Sequence, residues 1–314
     1  MRPQGGRQKR WVVREGDGET VAEIMRRAGE AESAVEEGRV FLGRTRVKSG
    51  SERVRPGDEV KIGAAEAKTV AHACDVIWER DGLLACAKPA GIPTVPDHRG
   101  ASHSLVALAA QSVGRKANEL FVTSRLDREV SGVVVFAMSP EAEERLRRAR
   151  EHGQYARRYV AIASGTESLD DADHVWDVPI GAGKDPLHRA ASGQGAKAAR
   201  THFAIVARAG SFAMLAVEPQ TGRTHQIRVH ASHAGAPLVG DRDYGGPSRV
   251  TLPSGGIVAL SRIALHAARV TVPGSAGDVL VAAAPVPPEL GQIWSELGGA
   301  AEAWDMAVSC ELDR

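Results

Sequence analysis

The stretch SRLDREVSGVVVFA, residues 124–137, is the one around which the rest of the sequence is organised. Its second half contains a short apolar run, residues 133–136, which follows Gly132. Such a run is typical of a buried β-strand rather than a helix. Asp127 comes just before this strand, where burial would raise the pKa of its carboxyl group and a nearby cation would lower it. Taken alone, Asp127 also fits a solvated, charged loop.

A second stretch, TGRTHQIRVHASHAGAPLVGDRDYG at residues 221–245, is the most specific pattern in the chain. From Thr224 onward its apolar residues recur at helical spacing, and Gly235 is a signal for the end of a helix. The apolar positions are Ile227, Ala231 and Ala234. Arg228 lies off this apolar stripe, so the predicted helix leaves its side chain free to reach the sheet.

Together the two stretches resemble the RluA-type RNA pseudouridine synthases. Asp127 matches the catalytic aspartate of that family, within its HRLD-x-x-[TS]-SG-type motif. Arg228 matches the arginine of the HQIR motif, which pairs with the catalytic aspartate, and Tyr159 matches a tyrosine that lies against the target base. Ser124 and Val130 depart from the pattern, because the family usually has His at the first position and Thr or Ser at the second.

Other motifs extend the resemblance over residues 75–288. They are a KP-x-G turn, an A-x-T strand, a GD-x-x-YG segment and an LHA strand, found at residues 88–91, 199–201, 240–245 and 265–267. The resemblance implies an α+β fold. Its main part is a large mixed, mostly antiparallel sheet with a central active-site cleft and packed helices.

The implied reaction converts a specific uridine in structured RNA to pseudouridine. The N1–C1′ bond is cut, the uracil turns within the site, and C5 rejoins C1′. Asp127 starts the reaction, either by attacking C1′ or by taking a proton from C2′, and the sequence leaves both routes open. The expected substrate is large-subunit ribosomal RNA, with transfer RNA as the alternative. The chain lacks a P-loop and a GxGxxG dinucleotide fingerprint, and no cofactor is expected.

Three residues near these motifs are predicted to bind RNA: Arg125, Arg223 and His225. In the resembling family, the arginine of the RLD motif fills the gap that the extruded uridine leaves in the base stack. Arg125 matches it, and its planar guanidinium can stack between bases where a lysine could not. The alternative for Arg125 is a plain phosphate contact.

The chain is predicted to have four parts. A disordered tail at residues 1–10 is followed by a small α+β RNA-binding domain at residues 11–66. A catalytic domain at residues 67–290 and a C-terminal extension without an assigned role at residues 291–314 complete the chain. In the small domain, apolar spacing predicts a helix from Val21, then a second helix over residues 30–38, then a strand, turn and strand. This order resembles a small RNA-binding domain shared by a small-subunit ribosomal protein and several RNA enzymes. Its clustered cations would neutralise phosphates. The predicted contacts are Arg39, Arg44, Arg46 and Lys48.

The catalytic domain is predicted to contain two hairpins and several helices. The predicted elements are a hairpin over 76–87, helices over 105–113 and 140–153, a strand over 157–163 and a hairpin over 203–217. Residues 181–195 are rich in Gly, Ala, Lys and His, and they are predicted to form a loop.

The composition bears on the charge, the cysteine chemistry and the membrane association of the protein. The net charge is +1, so the overall charge does not indicate nucleic acid, and the three cysteines form no CxxC pair. No apolar run approaches the roughly 20 residues that span a bilayer. The expectation is therefore a reduced, cytoplasmic monomer without a membrane segment.

Three alternatives remain open. A metal site could use His225, His230 and His233, but the H-E-x-x-H pattern of metalloprotease helices is absent, and no metal is expected. A non-catalytic RNA-binding or ribosome-assembly protein could have kept the fold. A carboxylate-based hydrolase would need a second acid beside Asp127, and Asp241 and Asp243 are the candidates.

Overall fold

The structure is a computed structural model that describes residues 9–27, 33–36, 40–43, 45–62, 74–96, 103–169, 174–185, 188–253 and 255–312. The chain divides into two compact units, residues 1–72 and 73–314. Two of the predicted RNA contacts, Arg39 and Arg44, lie outside the described residues, as do residues 1–8 of the predicted tail.

The N-terminal unit is a small α+β structure. Its elements are β1 (Lys9–Val12), α1 (Val21–Arg27), α2 (Ser33–Glu36), β2 (Val40–Leu42), β3 (Thr45–Arg46) and β4 (Glu59–Ile62). The strands form an antiparallel sheet in the order β1-β4-β2-β3. Helix α1 buries Val21, Ile24 and Met25 in the core of this unit, as their spacing predicts. Residues 9 and 10, assigned to the tail from sequence, instead begin β1, where Lys9 pairs with Ile62.

The second unit contains most of the chain. Its first elements are β5 (Asp75–Arg80), β6 (Leu83–Lys88), α3 (Leu105–Ser112), β7 (Phe121–Val122), β8 (Ser131–Ala137), α4 (Pro140–Glu151), β9 (Ala156–Ser164) and β10 (His174–Trp176). There follow β11 (Ile180–Ala182), β12 (Arg189–Ala191), β13 (Gln194–Lys197), β14 (Thr201–Ala209), β15 (Phe212–Pro219) and α5 (Gln226–His233). The last are β16 (Arg249–Thr251), β17 (Ile257–Ala259), β18 (Leu265–Pro273), β19 (Val279–Ala283), α6 (Pro288–Glu296) and α7 (Ala303–Ser309).

A ten-stranded sheet forms the centre of this unit. Eight strands follow the order β10-β14-β15-β9-β18-β8-β6-β5, with β19 beside β18 and β7 beside β8. Neighbouring strands are antiparallel except for β8 and β18, which are parallel. The predicted fold, a large mixed and mostly antiparallel sheet with packed helices, is therefore confirmed. Strand β8 is buried along its whole length, as its apolar run predicts.

Gly132 allows the two parallel strands to approach closely. Its φ is +120°, and a Cβ atom at this position would lie 2.2 Å from the carbonyl oxygen of Ala267. Only glycine fits both the backbone conformation and the available space. The point at which β8 and β18 approach closely comes directly after the Asp127 segment in the chain.

The C-terminal residues complete the core. Helices α6 and α7 bury Leu290, Trp294 and Trp304 in one cluster with Val160 and Met214 of the sheet. The predicted domain boundary at residue 290 falls inside α6, and residues 291–314 group with the second unit rather than forming a separate extension. Their signal was a moderately amphipathic pattern with two tryptophans, which marks a packed surface.

The predicted loop at residues 181–195 is a small sheet instead. Strands β11, β12 and β13 pair antiparallel, with β11 in the middle. A Cβ atom on Gly181 would lie 2.4 Å from the carbonyl oxygen of Gly193, so the glycines permit close backbone packing. The sequence pattern misled because glycine can mark such an approach as well as a loop.

Candidate active site

The segment between β7 and β8 carries Asp127, and hydrogen bonds to its backbone hold it in place. Thr94 donates its hydroxyl to the carbonyl of Leu126, 2.9 Å away, and its oxygen accepts the Leu126 N–H at 3.0 Å. The carbonyl of Asp127 accepts the N–H of Val130 at 3.1 Å. These bonds hold the backbone on both sides of Asp127.

Lys88, at the end of β6, provides a further anchor. Its side chain is 2% exposed, and its ammonium donates to the carbonyls of Pro89, Ile92 and Arg128 at 3.0, 2.7 and 3.0 Å. Burial lowers the pKa of Lys88 to about 7, with the charge of Arg262 acting in the same direction and that of Asp127 opposing it. Three donors require the protonated form, which ties the KP-x-G turn to the Asp127 segment. From sequence this motif was only a turn.

Arg228, on α5, contacts Asp127 directly. One terminal nitrogen lies 3.1 Å from Oδ2 of Asp127. The side chain of Arg228 is 5% exposed and that of Asp127 is 27% exposed, so the pair lies at the boundary of the protein interior. The guanidinium thus donates a charge-assisted hydrogen bond to the Asp127 carboxylate.

Two more carboxylates share the same arginine. Asp241 accepts two hydrogen bonds at 2.8 Å from Arg228, and Asp243 accepts one at 2.9 Å. Burial alone would lower the pKa of Arg228, but the carboxylates of Asp241, Asp127 and Asp243 raise it overall. Burial also opposes ionisation of Asp243, yet the bond from Arg228 holds the pKa of this carboxyl below its usual range. Asp241 and Asp243 therefore orient Arg228 toward Asp127.

Helix α5 begins at an unusual backbone position. His225, its N-cap, has a φ of +56°, in the left-handed region that is rarely adopted by residues other than glycine. Its Nε2 lies 3.9 Å from Oδ2 of Asp127, and its Nδ1 is 2.8 Å from the hydroxyl of Tyr244. Burial lowers the pKa of His225 although the charge of Asp127 opposes this. The helix starts at Gln226, two residues later than predicted.

Tyr159, on β9, is 6% exposed and lines the same cavity as Asp127. Burial raises the pKa of its hydroxyl, which keeps this group protonated at neutral pH. The ring lies in the main hydrophobic cluster of the catalytic unit, so the sheet fixes its position.

Asp127, Tyr159, His225 and Arg228 line a cleft of about 1350 Å³. Arg125 and Arg223 also line it and are exposed, and the Nε of Arg223 donates to the carbonyl of Ala198 at 3.0 Å. Arg125 makes no hydrogen bond or ion pair within the part of the chain that the structure describes. The structure thus brings together six predicted site residues, which are Asp127, Tyr159, Arg228, Arg125, Arg223 and His225. Arg46 and Lys48 are exposed in the N-terminal unit.

A buried polar network behind the Asp127 segment was not predicted. The hydroxyl of Ser131 lies 2.7 Å from Nδ1 of His266 and accepts a hydrogen bond from Arg262 at 2.6 Å. Arg262 also binds Glu289 of α6 at 3.0 Å, and His266 Nε2 lies 3.2 Å from the carbonyl of Ala284. Burial lowers the pKa of His266 to about 4, so the ring is neutral. The network joins the start of β8 to α6, over sequence separations that no local pattern shows.

Two of the three histidines considered as metal ligands are bound to different groups. His225 binds Tyr244, whereas His230 lies 3.0 Å from the hydroxyl of Thr201 and 2.9 Å from the carbonyl of Val178. Among the described residues, no group of three or more His, Cys, Asp or Glu side chains is arranged to hold a metal ion. Within the same residues, no helix is long and apolar enough to cross a membrane.

Solved structures identify the fold. The structure of the human RNA pseudouridylate synthase domain containing 4 is similar, with 21% identity and a TM-score of 0.58. The match covers 73% of this chain and 95% of the human chain. The structure of the human RNA pseudouridylate synthase domain containing 1 matches 78% of this chain and 98% of the human chain, with 20% identity and a TM-score of 0.57. The second unit therefore has the pseudouridine synthase fold.

Sequence comparisons identify the family. Residues 82–233 match the family described as RNA pseudouridylate synthase. An uncharacterized RNA pseudouridine synthase of Bacillus subtilis is 33% identical over 247 residues, covering 76% of this chain and 78% of the relative. The ribosomal large subunit pseudouridine synthase D of Nitrosomonas europaea is also 33% identical, over 68% of this chain and 62% of the relative. The chain belongs to the RluA-type family of RNA pseudouridine synthases, which are isomerases that act on RNA.

Proposed function

We propose that this protein converts a specific uridine of large-subunit ribosomal RNA to pseudouridine, with Asp127 as the catalytic carboxylate. The observation that carries the proposal is the 3.1 Å contact between Asp127 and Arg228 in the cleft. Oδ2 of Asp127 accepts this bond, whereas Oδ1 makes no hydrogen bond with the residues that the structure describes. The carboxylate is thus oriented and still has an oxygen available for chemistry.

The reaction requires an ionised carboxylate by either route. If Asp127 attacks C1′, the N1–C1′ bond breaks and its electron pair leaves with the uracil. If Asp127 removes the C2′ proton instead, the same bond breaks by elimination. In the first route C5 then attacks C1′ and displaces the Asp127 carboxylate. In the second route C5 bonds to C1′ of the enol ether while C2′ regains its proton from Asp127. In both routes the C5 proton is then lost and N1 gains a proton. Arg228 stabilises the negative charge of Asp127 at the start, and Tyr159 holds the free uracil by its ring.

The choice of ribosomal RNA rests on the relatives and on the N-terminal unit. The relative in Nitrosomonas europaea is named for the large ribosomal subunit. We propose that the N-terminal unit binds RNA through Arg46 and Lys48, which are exposed cations next to each other on one strand and the turn that follows. Clustered cations bind phosphates without reading sequence, which suits an auxiliary domain for a structured substrate. A transfer RNA substrate is the alternative.

The two other function classes are less well supported. A hydrolase would need a second free acid, but both oxygens of Asp241 accept bonds from Arg228, and Asp243 is bound to the same arginine. A non-catalytic RNA-binding protein would not need the complete set of Asp127, Tyr159 and Arg228. The synthase reaction uses all three.

The test is the variant Asp127→Asn, which keeps the size of the side chain. It should form no pseudouridine on an unmodified transcript of the cell's large-subunit ribosomal RNA, while RNA binding and melting temperature stay close to the wild type, because phosphate contacts dominate binding. The matched control, Asp75→Asn, changes an exposed aspartate of β5 and should be fully active. Turnover by Asp127→Asn at the wild-type rate would disprove the role of Asp127. If the wild type modified only transfer RNA, the substrate would be transfer RNA and not ribosomal RNA.

A further inference from the structure

Helix α4 carries four arginines that are not equivalent. Arg147 binds Glu144 at 2.6 Å and Glu151 at 2.5 Å, and Arg148 binds Glu144 at 2.7 Å. Arg145 donates to the carbonyl of Asp81 at 2.6 Å. The side chain of the fourth, Arg150, forms no hydrogen bond or ion pair with any residue that the structure describes. Arg150 is therefore the one arginine of this helix without such a partner among the described residues.

Arg150 also differs in its position, because it lines the cleft that contains Asp127, whereas Arg147 and Arg148 do not. Its guanidinium lies over the ring of Tyr155, 4.5 Å from the ring centroid. A guanidinium stacked in this way is held by one face and leaves its N–H groups free at the edge. Glu151 lines the same rim, but its carboxylate is already bound to Arg147.

The backbone fixes this arrangement. Helix α4 ends at Glu151, and Gly153 just beyond it has a φ of +71°. The N–H of Tyr155 then returns to the carbonyl of Ala149 at 3.2 Å. The ring of Tyr155 is therefore placed against the last turn of the helix, beside Arg150. Tyr155 is 8% exposed and belongs to the hydrophobic cluster beneath α4, so it is a rigid support.

Tyr155 connects this rim to the catalytic segment. Its hydroxyl lies 3.2 Å from the hydroxyl of Ser124, which directly precedes Arg125. On the other side, Arg157 lies 5.9 Å from the ring centroid and donates to the carbonyls of Pro219 and Thr221 at 3.2 and 2.8 Å. Arg150 is thus an exposed cation that lines the cleft and has no hydrogen-bond or ion-pair partner among the described residues. It lies over a tyrosine whose hydroxyl contacts the residue before Arg125.

We propose that Arg150, supported by Tyr155, binds a phosphate of the RNA backbone next to the target uridine. The ligand is a phosphodiester, which matches a planar guanidinium that offers two parallel donors. This inference rests on the proposed function, because it assumes that the target uridine enters the cleft. It assigns Arg150 to substrate binding and not to the chemical step.

The binding test uses the Asp127→Asn background, so that no turnover occurs. Affinity for the unmodified large-subunit ribosomal RNA transcript is measured over a series of salt concentrations. Arg150→Ala should bind about tenfold more weakly, the effect of one charge-assisted contact, and its log–log salt slope should be smaller by roughly 0.7 to 0.9. Arg150→Lys should keep the salt slope and lose part of the affinity. Arg148→Ala is the matched control and should change neither quantity.

The kinetic test uses the active enzyme on the same transcript. Arg150→Ala should raise KM by about tenfold and leave kcat within about twofold, because the contact is equally strong before and during the reaction. Equal behaviour of Arg150→Ala and Arg148→Ala, or an affinity loss without a change in salt slope, would overturn the assignment of Arg150. If the wild type makes no pseudouridine but the Arg150 effect on binding persists, the proposed function fails and the phosphate site stands.

Discussion

Arg228 contacts Asp127 through a single nitrogen at 3.1 Å, and its remaining donors bind Asp241 and Asp243. One arginine therefore orients the Asp127 carboxylate while two other carboxylates orient the arginine. The side chain of Asp241 is fully buried, and its two bonds to Arg228 are both 2.8 Å long. A lysine would keep the charge but not the planar fork that this arrangement requires.

Arg228→Lys is accordingly expected to be severely impaired. The rate of pseudouridine formation should fall by about 100-fold or more, because a displaced reactive group loses about that much. The free energy of unfolding should fall by about 3 kcal/mol, since Asp241 remains buried with fewer partners. The control is Arg158→Lys, another arginine that is 5% exposed, bound to Glu218 at 3.1 Å. It should lose stability and keep its rate, and equal rate losses in both variants would show that packing alone is responsible.

Arg125 should matter most when the target uridine is stacked. If its guanidinium fills the gap left by the extruded base, it replaces stacking energy of a few kcal/mol. Arg125→Ala should then slow single-turnover reaction by roughly 30-fold on a paired uridine, equivalent to about 2 kcal/mol, and far less on a short flexible strand. Arg125→Lys keeps the charge and should resemble the alanine variant. Equal, salt-sensitive losses on both RNAs would instead indicate a phosphate contact.

The N-terminal unit should contribute affinity rather than chemistry. Replacing Arg46 and Lys48 together by alanine should weaken RNA binding and lower the log–log salt slope by somewhat less than two, because each phosphate contact contributes somewhat less than one. The rate at saturating RNA should not change. Arg27→Ala is the control, since this arginine lies 3.6 Å from the carboxylate of Asp17 within the same unit. An unchanged slope in the double variant would mean that this face does not touch RNA.

His266 should make stability depend on pH. Its folded pKa of about 4 lies below the ordinary value of about 6.5, so the unfolded state binds more protons between these two pH values. Stability is therefore lost as the pH falls from about 6.5 to about 4, by up to about 3 kcal/mol. Denaturant unfolding at pH 7 and pH 5 should show a smaller difference for His266→Gln than for the wild type. A difference of equal size in both proteins would contradict this role of His266.

The fold was predictable in segments where apolar residues follow one regular pattern. The spacing of apolar residues predicted α1 and α3, and the run before residue 137 predicted β8. Helix α4 was predicted from its start signals, an N-cap serine followed by a proline and an acid. The small sheet at residues 180–197 was missed, because glycines that permit close strands look like glycines of a loop. Helices α6 and α7 were left without a role, since their tryptophans are explained only by the sheet behind them.

The site was predictable in its members but not in its supports. The resemblance to the family indicated Asp127, Arg228 and Tyr159, which all line one cleft. It gave no sign that Lys88 would bind three carbonyls, or that Ser131, His266 and Glu289 would belong to one network. Such contacts join residues that are far apart in the chain, and they depend on the strand order, which no local pattern contains.

The position of β18 in the sheet has a consequence for how the protein is made. Strand β18 lies between β8 and β9, although it leaves the ribosome long after both of them. Until residue 273 has emerged, β9 lacks the partner on one of its edges and β8 lacks its partner at residues 131–132, and such edges pair readily with other chains. We therefore expect the catalytic unit to fold late and slowly, as contacts between distant residues require. A product terminated before β18 should aggregate rather than persist as a smaller enzyme.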